Sequence, residues 1–211
     1  MSSADISSTP SSPTAAAALK RQLRAGLRAR RRRLSPLQRR RAAEALSAVI
    51  ARRPEFRRAR RLALYFAADG EIDPLPLARL AQRQGKQLYL PVLRPGGWLG
   101  FVAWRRGGVL RRNRFGIAEP VGARALPQRL DLVLLPLVAF DARGGRLGMG
   151  GGFYDRTFAW LSRAGAQRRR PLLVGLAHGF QQLPQLPCET WDVPLAAVAT
   201  ERGWVVMPRP R

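Results

Sequence analysis

Apolar positions fall into distinct regimes along the chain. Residues 1–15 are mostly Ser, Thr, Pro and Ala with almost no large apolar side chain. Such a segment cannot bury enough surface to offset ordering, so a disordered tail is expected there. Leu19, Leu23 and Leu27 then recur every four residues among arginines, which predicts an amphipathic helix with one apolar stripe. Ser35-Pro36 reads as an N-cap followed by a first-turn proline, opening a second helix with Ala42, Leu46 and Ile50 on one face. From residue 62 onward the pattern changes to short, nearly uncharged runs. Strands are predicted at 62–67, 87–93, 99–104, 131–140 and 171–178, with shorter ones near 195–200 and 203–207. Helical spacing covers 73–84 and 153–164, and Pro95-Gly96-Gly97 supplies a turn. The run 131–140 is the strongest buried strand. Continuous apolar runs of this kind suit a parallel sheet covered on both faces, and the alternation of strands and helices predicts a layered α/β fold. No internal repeat is visible.

Composition sharpens this picture. The chain has 211 residues and is 46% hydrophobic, enough for one domain with a real core. Its 38 basic residues against 13 acidic ones give +25, and only Lys20 and Lys86 are lysine. That excess implies affinity for anions: phosphate, polycarboxylates, nucleic acid or an acidic membrane surface. A single cysteine, Cys188, excludes an internal disulfide framework and Cys-based zinc modules. A single histidine, His178, excludes H-E-x-x-H metalloproteases. No G-x-S-x-G elbow is present. No apolar run approaches the ~20 residues needed to span a bilayer, and the first residues lack a secretory core. A soluble protein in the reducing cytoplasm is expected, with no membrane partner. The alternative of an organelle transit peptide would require cleavage before Lys20.

The candidate chemistry converges on Arg146-Leu147-Gly148-Met149-Gly150-Gly151-Gly152-Phe153-Tyr154-Asp155-Arg156, beyond the best strand and at the start of a helix. Ligands of α/β sheets bind at the carboxyl ends of strands. Glycines let backbone N–H groups approach an anion, and the next helix adds its own free N–H groups. Arg146 and Arg156 bracket the loop with charge able to grip phosphate. Asp155 is a carboxylate among phosphate-binding groups, which a hard cation such as Mg²⁺ would reconcile. The spacing is neither G-x-G-x-x-G, because Phe153 stands where glycine is needed, nor a P-loop. From the residues alone two readings stay open, an anion cradle and a glycine-rich packing turn.

The ordered motifs resemble the 5-formyltetrahydrofolate cyclo-ligase family. They are Lys20-Arg21-Gln22-Leu23-Arg24, Glu71-Ile72, Gly116-Ile117-Ala118-Glu119-Pro120, Pro136 to Phe140-Asp141, the glycine loop, and Trp191-Asp192-Val193-Pro194-Leu195. The resemblance runs from about Lys20 to Thr200. The fold is then expected to be a three-layer Rossmann-like sandwich with a mostly parallel central sheet, preceded by two N-terminal helices. One domain would span 16–207, with a short tail at 208–211. The family uses MgATP to close the 5-formyl group of 5-formyltetrahydrofolate onto N10, giving 5,10-methenyltetrahydrofolate, ADP and phosphate.

By that resemblance Lys20, Arg21, Gln22, Leu23 and Arg24 bind ATP together with the loop from Arg146 to Tyr154. Phe66 and Glu71 contact the folate, with Met149, Gly150, Gly151, Gly152 and Phe153 bordering it. Asp155 and Asp192 hold Mg²⁺, and Arg146, Tyr154 and Asp155 are the catalytic candidates. Read without the family, Lys20 and Arg24 suit a solvated basic helix, Glu71 a loop charge, Phe66 and Phe153-Tyr154 core packing, and Asp192 a turn carboxylate. Phe153 stands where the family commonly has tyrosine, Asp73 where threonine is frequent, and Trp191 where a polar residue is common. His178 and Cys188 are read as packing. Substrate polyglutamates are admissible, and a monomer is expected. The run Arg30-Arg31-Arg32-Arg33 suits a nucleic-acid backbone as an incidental partner. Arginines without an assigned role are read as a general basic background, replaceable one at a time.

Overall fold

The computed structural model describes residues 13–105, 107–122, 124–125, 129–162, 170–187 and 192–208. Residues 1–12, Cys188, Trp191 and 209–211 lie outside the described residues. In chain order the elements are α1 (Pro13–Arg32), α2 (Pro36–Ala51), α3 (Pro54–Arg58), β1 (Arg61–Ala63), α4 (Leu75–Arg83), β2 (Gln87–Arg94), β3 (Trp98–Trp104), β4 (Leu110–Arg112) and β5 (Ala118–Pro120). They continue with β6 (Arg124–Ala125), β7 (Leu132–Pro136), β8 (Ala139–Phe140), β9 (Arg146–Leu147), α5 (Phe153–Phe158), β10 (Leu172–Leu176), β11 (Ala197–Thr200) and β12 (Gly203–Val206). Helix α1 takes in residues 13–15 of the stretch read as tail.

Eight strands form one sheet in the order β12-β11-β10-β7-β1-β2-β3-β6. The five central strands run parallel; β12 pairs antiparallel at one edge, and at the other β3 pairs antiparallel to β2 and β6 antiparallel to β3. Strand β7 shows why its sequence is uninterruptedly apolar. Leu132 and Leu134 face one core with Leu46 and Ile50 of α2 and Leu77 of α4. Val133 and Leu135 face the other with Phe158 of α5. Successive side chains point to opposite faces, so a strand buried on both sides needs an apolar residue at every position. The layered α/β fold with a mostly parallel sheet and two leading helices is as expected.

Helix α2 starts as its sequence predicts. Gln38 N–H donates to Ser35 Oγ (3.2 Å) and Ser35 N–H to Gln38 Oε1 (2.8 Å), a reciprocal capping box, with Pro36 at the first position. Three elements are shorter than predicted. The run 131–140 leaves the sheet after Pro136, which has no N–H for the ladder. Leu137 N–H still reaches Leu176 O, and the chain then turns into the β8–β9 hairpin. The buried Asp141 carboxylate holds that turn, accepting from Arg143 (2.9 Å) and Gly145 (2.8 Å) N–H, and from Leu186 N–H (2.7 Å). The run 62–67 is a strand only to Ala63; Leu64 N–H still reaches Tyr89 O, and the backbone then leaves the sheet to bring Tyr65 and Phe66 to a cavity. Helix α5 ends at Phe158 and tightens into a 3₁₀ turn over Ala159–Ser162. The β4–β5 hairpin lies outside the predicted strands. Asn113 Oδ1 accepts from Phe115 and Ile117 N–H to close its turn.

Candidate active site

A cavity of about 990 Å³ opens at the carboxyl ends of β1 and β7. Helix α1 covers it, α5 and the glycine loop wall one end, and the loop after β1 walls the other. Helical periodicity decides which α1 residues take part. Ala17, Lys20, Arg21, Arg24 and Arg28 line the cavity. Gln22 is exposed and Leu23 packs on the cluster of Val138, Ala139, Leu147 and Leu186. The contiguous stretch 20–24 therefore divides: two of its five side chains, Gln22 and Leu23, face away from the cavity.

The glycine loop folds by close backbone approach. Arg24 Nε donates to Gly148 O (2.9 Å), tying α1 to the loop. Gly152 is in the left-handed region at φ 60° as the N-cap of α5, and a Cβ there would meet Arg156 Nη1 at 2.9 Å. Arg156 does not line the cavity. Its guanidinium donates to Gly97 O (3.0 Å) and Gly151 O, so it fastens the loop rather than gripping a ligand. Arg146 does line it, donating to Val193 O and pairing with Asp155 Oδ1, which also accepts from Val193 N–H (3.4 Å). Arg146 is thus fixed by its own neighbours, and Asp155 and Asp192 come to the same stretch of cavity wall. Thr157 fixes the start of α5, its hydroxyl donating to Phe153 O (2.6 Å) while accepting from Leu99 N–H (2.9 Å).

Aromatic and acidic residues line the cavity from the loop after β1 across to the start of α5. Phe66 meets Trp104 edge-on, with centroids 5.4 Å apart, and Phe153 meets Phe115 at 6.1 Å. Phe115 and Asn113 bring the β4–β5 hairpin to the cavity wall. Burial pushes the Tyr154 hydroxyl well above its ordinary range, with the Glu71 charge adding to it, so the phenol stays protonated. Glu71 is nearly buried, its Oε2 accepting from Ala68 N–H (3.1 Å). Burial raises its carboxyl above the usual range against the pull of Ala68 N–H and Arg31. Asp73, where threonine is frequent in the resembling family, accepts from Leu75 N–H (2.9 Å) at the start of α4, a role a hydroxyl also fills.

Asp69, which carries no role in the sequence motifs, gathers three arginines beside the site. Asp69, at φ 51°, takes Arg28 Nε (2.6 Å), Arg31 Nη2 (2.9 Å) and Arg32 Nη1 (3.0 Å). Burial alone would raise its carboxyl, but the hydrogen bonds from Arg28 and Arg31 outweigh that and hold it below its usual value. Arg31 is 1% exposed, which corrects its reading as interchangeable background. The adjacent Gly70 is at φ 75°, and a Cβ would sit 2.8 Å from Arg31 O, so only glycine lets the loop pass beneath α1. His178 Nε2 lies 3.2 Å from Gly70 O, and its ring also accepts from Gln181 N–H. One donor and one acceptor require the neutral ring. Burial keeps it neutral, lowering its affinity for a proton. The Asp69-Gly70 doublet at a strand's carboxyl end was the signal in the sequence.

Fold and site define an α/β protein of the Rossmann-like kind, whose ligand cavity lies between a glycine-rich loop and an acidic, aromatic pocket. Comparison with known proteins narrows the class. The model of the 5-formyltetrahydrofolate cyclo-ligase family matches residues 16–201, and the chain belongs to that family. It is 41% identical over 182 residues to a 5-formyltetrahydrofolate cyclo-ligase of Haemophilus influenzae, covering 83% of this chain and 94% of that protein. It is 42% identical over 180 residues to the protein of that name from Escherichia coli K12, covering 82% and 96%. The solution structure of Aquifex aeolicus 5,10-methenyltetrahydrofolate synthetase superposes with a TM-score of 0.77 at 34% identity, covering 92% of this chain and 95% of that one. Among the described residues no helix is long and apolar enough to cross a membrane.

Proposed function

We propose that the protein is a cytoplasmic enzyme that uses ATP to cyclise 5-formyltetrahydrofolate to 5,10-methenyltetrahydrofolate, releasing ADP and phosphate. The observation that carries this reading is one cavity with two chemically different ends. The glycine loop with Lys20, Arg24 and Arg146 suits a polyphosphate. Glu71 among Phe66, Tyr65 and Tyr154 suits the donor edge of a pterin ring.

The chemical difficulty is that a formyl oxygen on nitrogen is a poor leaving group. That oxygen attacks the γ-phosphorus, and the bond from phosphorus to ADP oxygen breaks. N10 then attacks the activated carbon and loses its proton, and the carbon–oxygen bond breaks as phosphate departs. The protein has little covalent work here. It positions two anionic ligands and neutralises charge in transit. Arg146, held by Asp155 and Val193, is pre-oriented toward the transferring phosphoryl group, and Phe153 and Tyr154 border the formyl region.

Mg²⁺ fits the donors present. Among the described residues no group of three or more His, Cys, Asp or Glu gathers. A cation would therefore take carboxylates from Asp155 and Asp192 and its remaining oxygens from phosphate and water, which is the habit of Mg²⁺. When bound, it supplies charge neutralisation at the phosphates.

The test is to mix purified protein with MgATP and 5-formyltetrahydrofolate and follow the near-ultraviolet absorbance of the methenyl product, with ADP measured in parallel. Product formation that requires both substrates is expected. No ATP-dependent signal, where the Escherichia coli relative reacts, overturns the proposal.

A further inference from the structure

Arg31 sits in a position that neither cavity end explains. It is 1% exposed and does not line the cavity, yet two of its three guanidinium nitrogens are engaged. Nε donates to Asp69 O (2.9 Å) and Nη2 to Asp69 Oδ2 (2.9 Å), with Nη2 also 4.0 Å from Met149 Sδ. The third nitrogen, Nη1, is buried without a hydrogen-bond partner, and it lies 4.0 Å from Glu71 Oε1. A buried donor left without a partner is costly, so such atoms need an explanation. Here the guanidinium plane is locked by Asp69, and that lock directs the spare nitrogen at the carboxylate.

We propose that Arg31 is a positioning residue that acts through Glu71, holding its carboxylate as an oriented anion with one oxygen free for the ligand. The inference rests on the reading of Glu71 as the group that meets the pterin. The division of labour follows from the contacts. Ala68 N–H occupies Oε2, so Oε1 is the oxygen left to accept from a ligand. A pterin offers N–H donors along its edge. A protonated carboxyl would place a donor where an acceptor is needed.

The groups around Glu71 do not all favour the anion. Asp69 in the same loop, Tyr65 beyond β1 and Tyr154 of α5 either add negative charge or become harder to ionise beside it. Arg31 and Arg28, both from α1, are the cations facing it, and Arg28 is the more exposed of the two. A lysine at residue 31 could not do the same work, because one ammonium cannot hold Asp69 in a fixed plane and point a second nitrogen elsewhere.

The test uses the full chain carrying Arg31→Met, which keeps length and removes charge. Carboxyl-labelled glutamate is followed by ¹³C NMR titration without any ligand. The Glu71 midpoint is expected to move up by about one pH unit, as removal of a cation at this range implies. In the absorbance assay at a pH below both Glu71 midpoints, KM for the folate should rise about tenfold while KM for ATP stays within about twofold. Raising the pH should recover the folate KM. An unchanged Glu71 midpoint in the folded variant overturns the inference, as does a folate KM raised equally at all pH or in step with that for ATP. If the methionine variant does not fold, Arg31→Lys keeps a cation against Asp69, and a smaller upward midpoint shift is expected; no shift overturns the inference equally. The titration needs no substrate, so it stands or falls separately from the wild-type turnover that tests the proposed reaction.

Discussion

Asp69→Asn isolates the electrostatics of the contact between α1 and the loop after β1. Asparagine tolerates the left-handed φ of 51° and preserves side-chain shape, so the change removes charge and little else. Three guanidiniums lose their shared anion. Arg32 is 54% exposed, and a pair of that kind is worth at most about 1 kcal/mol. Arg28 is intermediate. Arg31 decides the magnitude, because leaving a buried charge without its partner costs about 3–5 kcal/mol. It keeps the bond from Nε to Asp69 O and the Glu71 charge at 4.0 Å, which places the loss near the lower end, about 3 kcal/mol. For a chain of this size that is a fall in Tm of about 6–12 °C by differential scanning calorimetry at pH 7. The sign with pH is fixed too. Asp69 titrates lower when folded than unfolded, so its contribution is complete above the ordinary aspartate value of about 3.9 and is lost as the pH falls through the folded value. The two proteins should therefore converge in acid. A loss below about 1 kcal/mol at pH 7 refutes the reasoning, since Arg31 would then not depend on this carboxylate.

Other outcomes follow from single residues of the site. Asp155→Asn should cut kcat/KM at least about 100-fold in the absorbance assay while far-ultraviolet circular dichroism stays unchanged; near-normal turnover removes Asp155 from the proposed machinery. Gly152→Ala forces a Cβ into the left-handed region against Arg156, a strain of about 1–2 kcal/mol. It should raise KM for ATP about fivefold or more in the same assay, and an unchanged KM counts against the loop as the polyphosphate site. His178 binds a proton less readily when folded, so stability should fall as the pH drops through the unfolded value of about 6.5 toward the folded one. His178→Gln should flatten that part of the Tm-against-pH curve, and an unaltered slope counts against the buried neutral ring.

What could be read from the chain depended on how local the cause was. Strand β7, helix α2 with its Ser35 cap and the glycine loop declare themselves within a few residues, through uninterrupted apolar runs, a capping box and repeated glycine. The break at Pro136 was legible in hindsight only as a missing N–H, because the apolar run continues past it into the buried β8. Within 20–24, family likeness marked a contiguous segment, whereas a helix presents Lys20, Arg21 and Arg24 to the cavity and turns Gln22 and Leu23 away. Arg31 was hidden for a different reason. In the run Arg30-Arg31-Arg32-Arg33 four identical side chains look equivalent, and the one that is buried is chosen by Asp69, 38 residues away. Composition cannot distinguish an arginine with a buried partner from one in solvent.

The manner in which α1 is attached has a consequence for local stability. Its apolar hold is slight, with Leu23 and Leu27 resting on the small cluster around Val138 and Leu186, while both large cores lie on the faces of the sheet. The remainder of the attachment is polar, through the Arg24 and Arg31 bonds to backbone carbonyls and the ion pairs to Asp69, of which the exposed ones are screened by salt. The helix is therefore expected to open separately from the sheet, with amide exchange reporting α1 opening at lower free energy than β7 or β10. Because this one helix roofs both ends of the cavity, its release dismantles both binding regions together while the sheet remains folded.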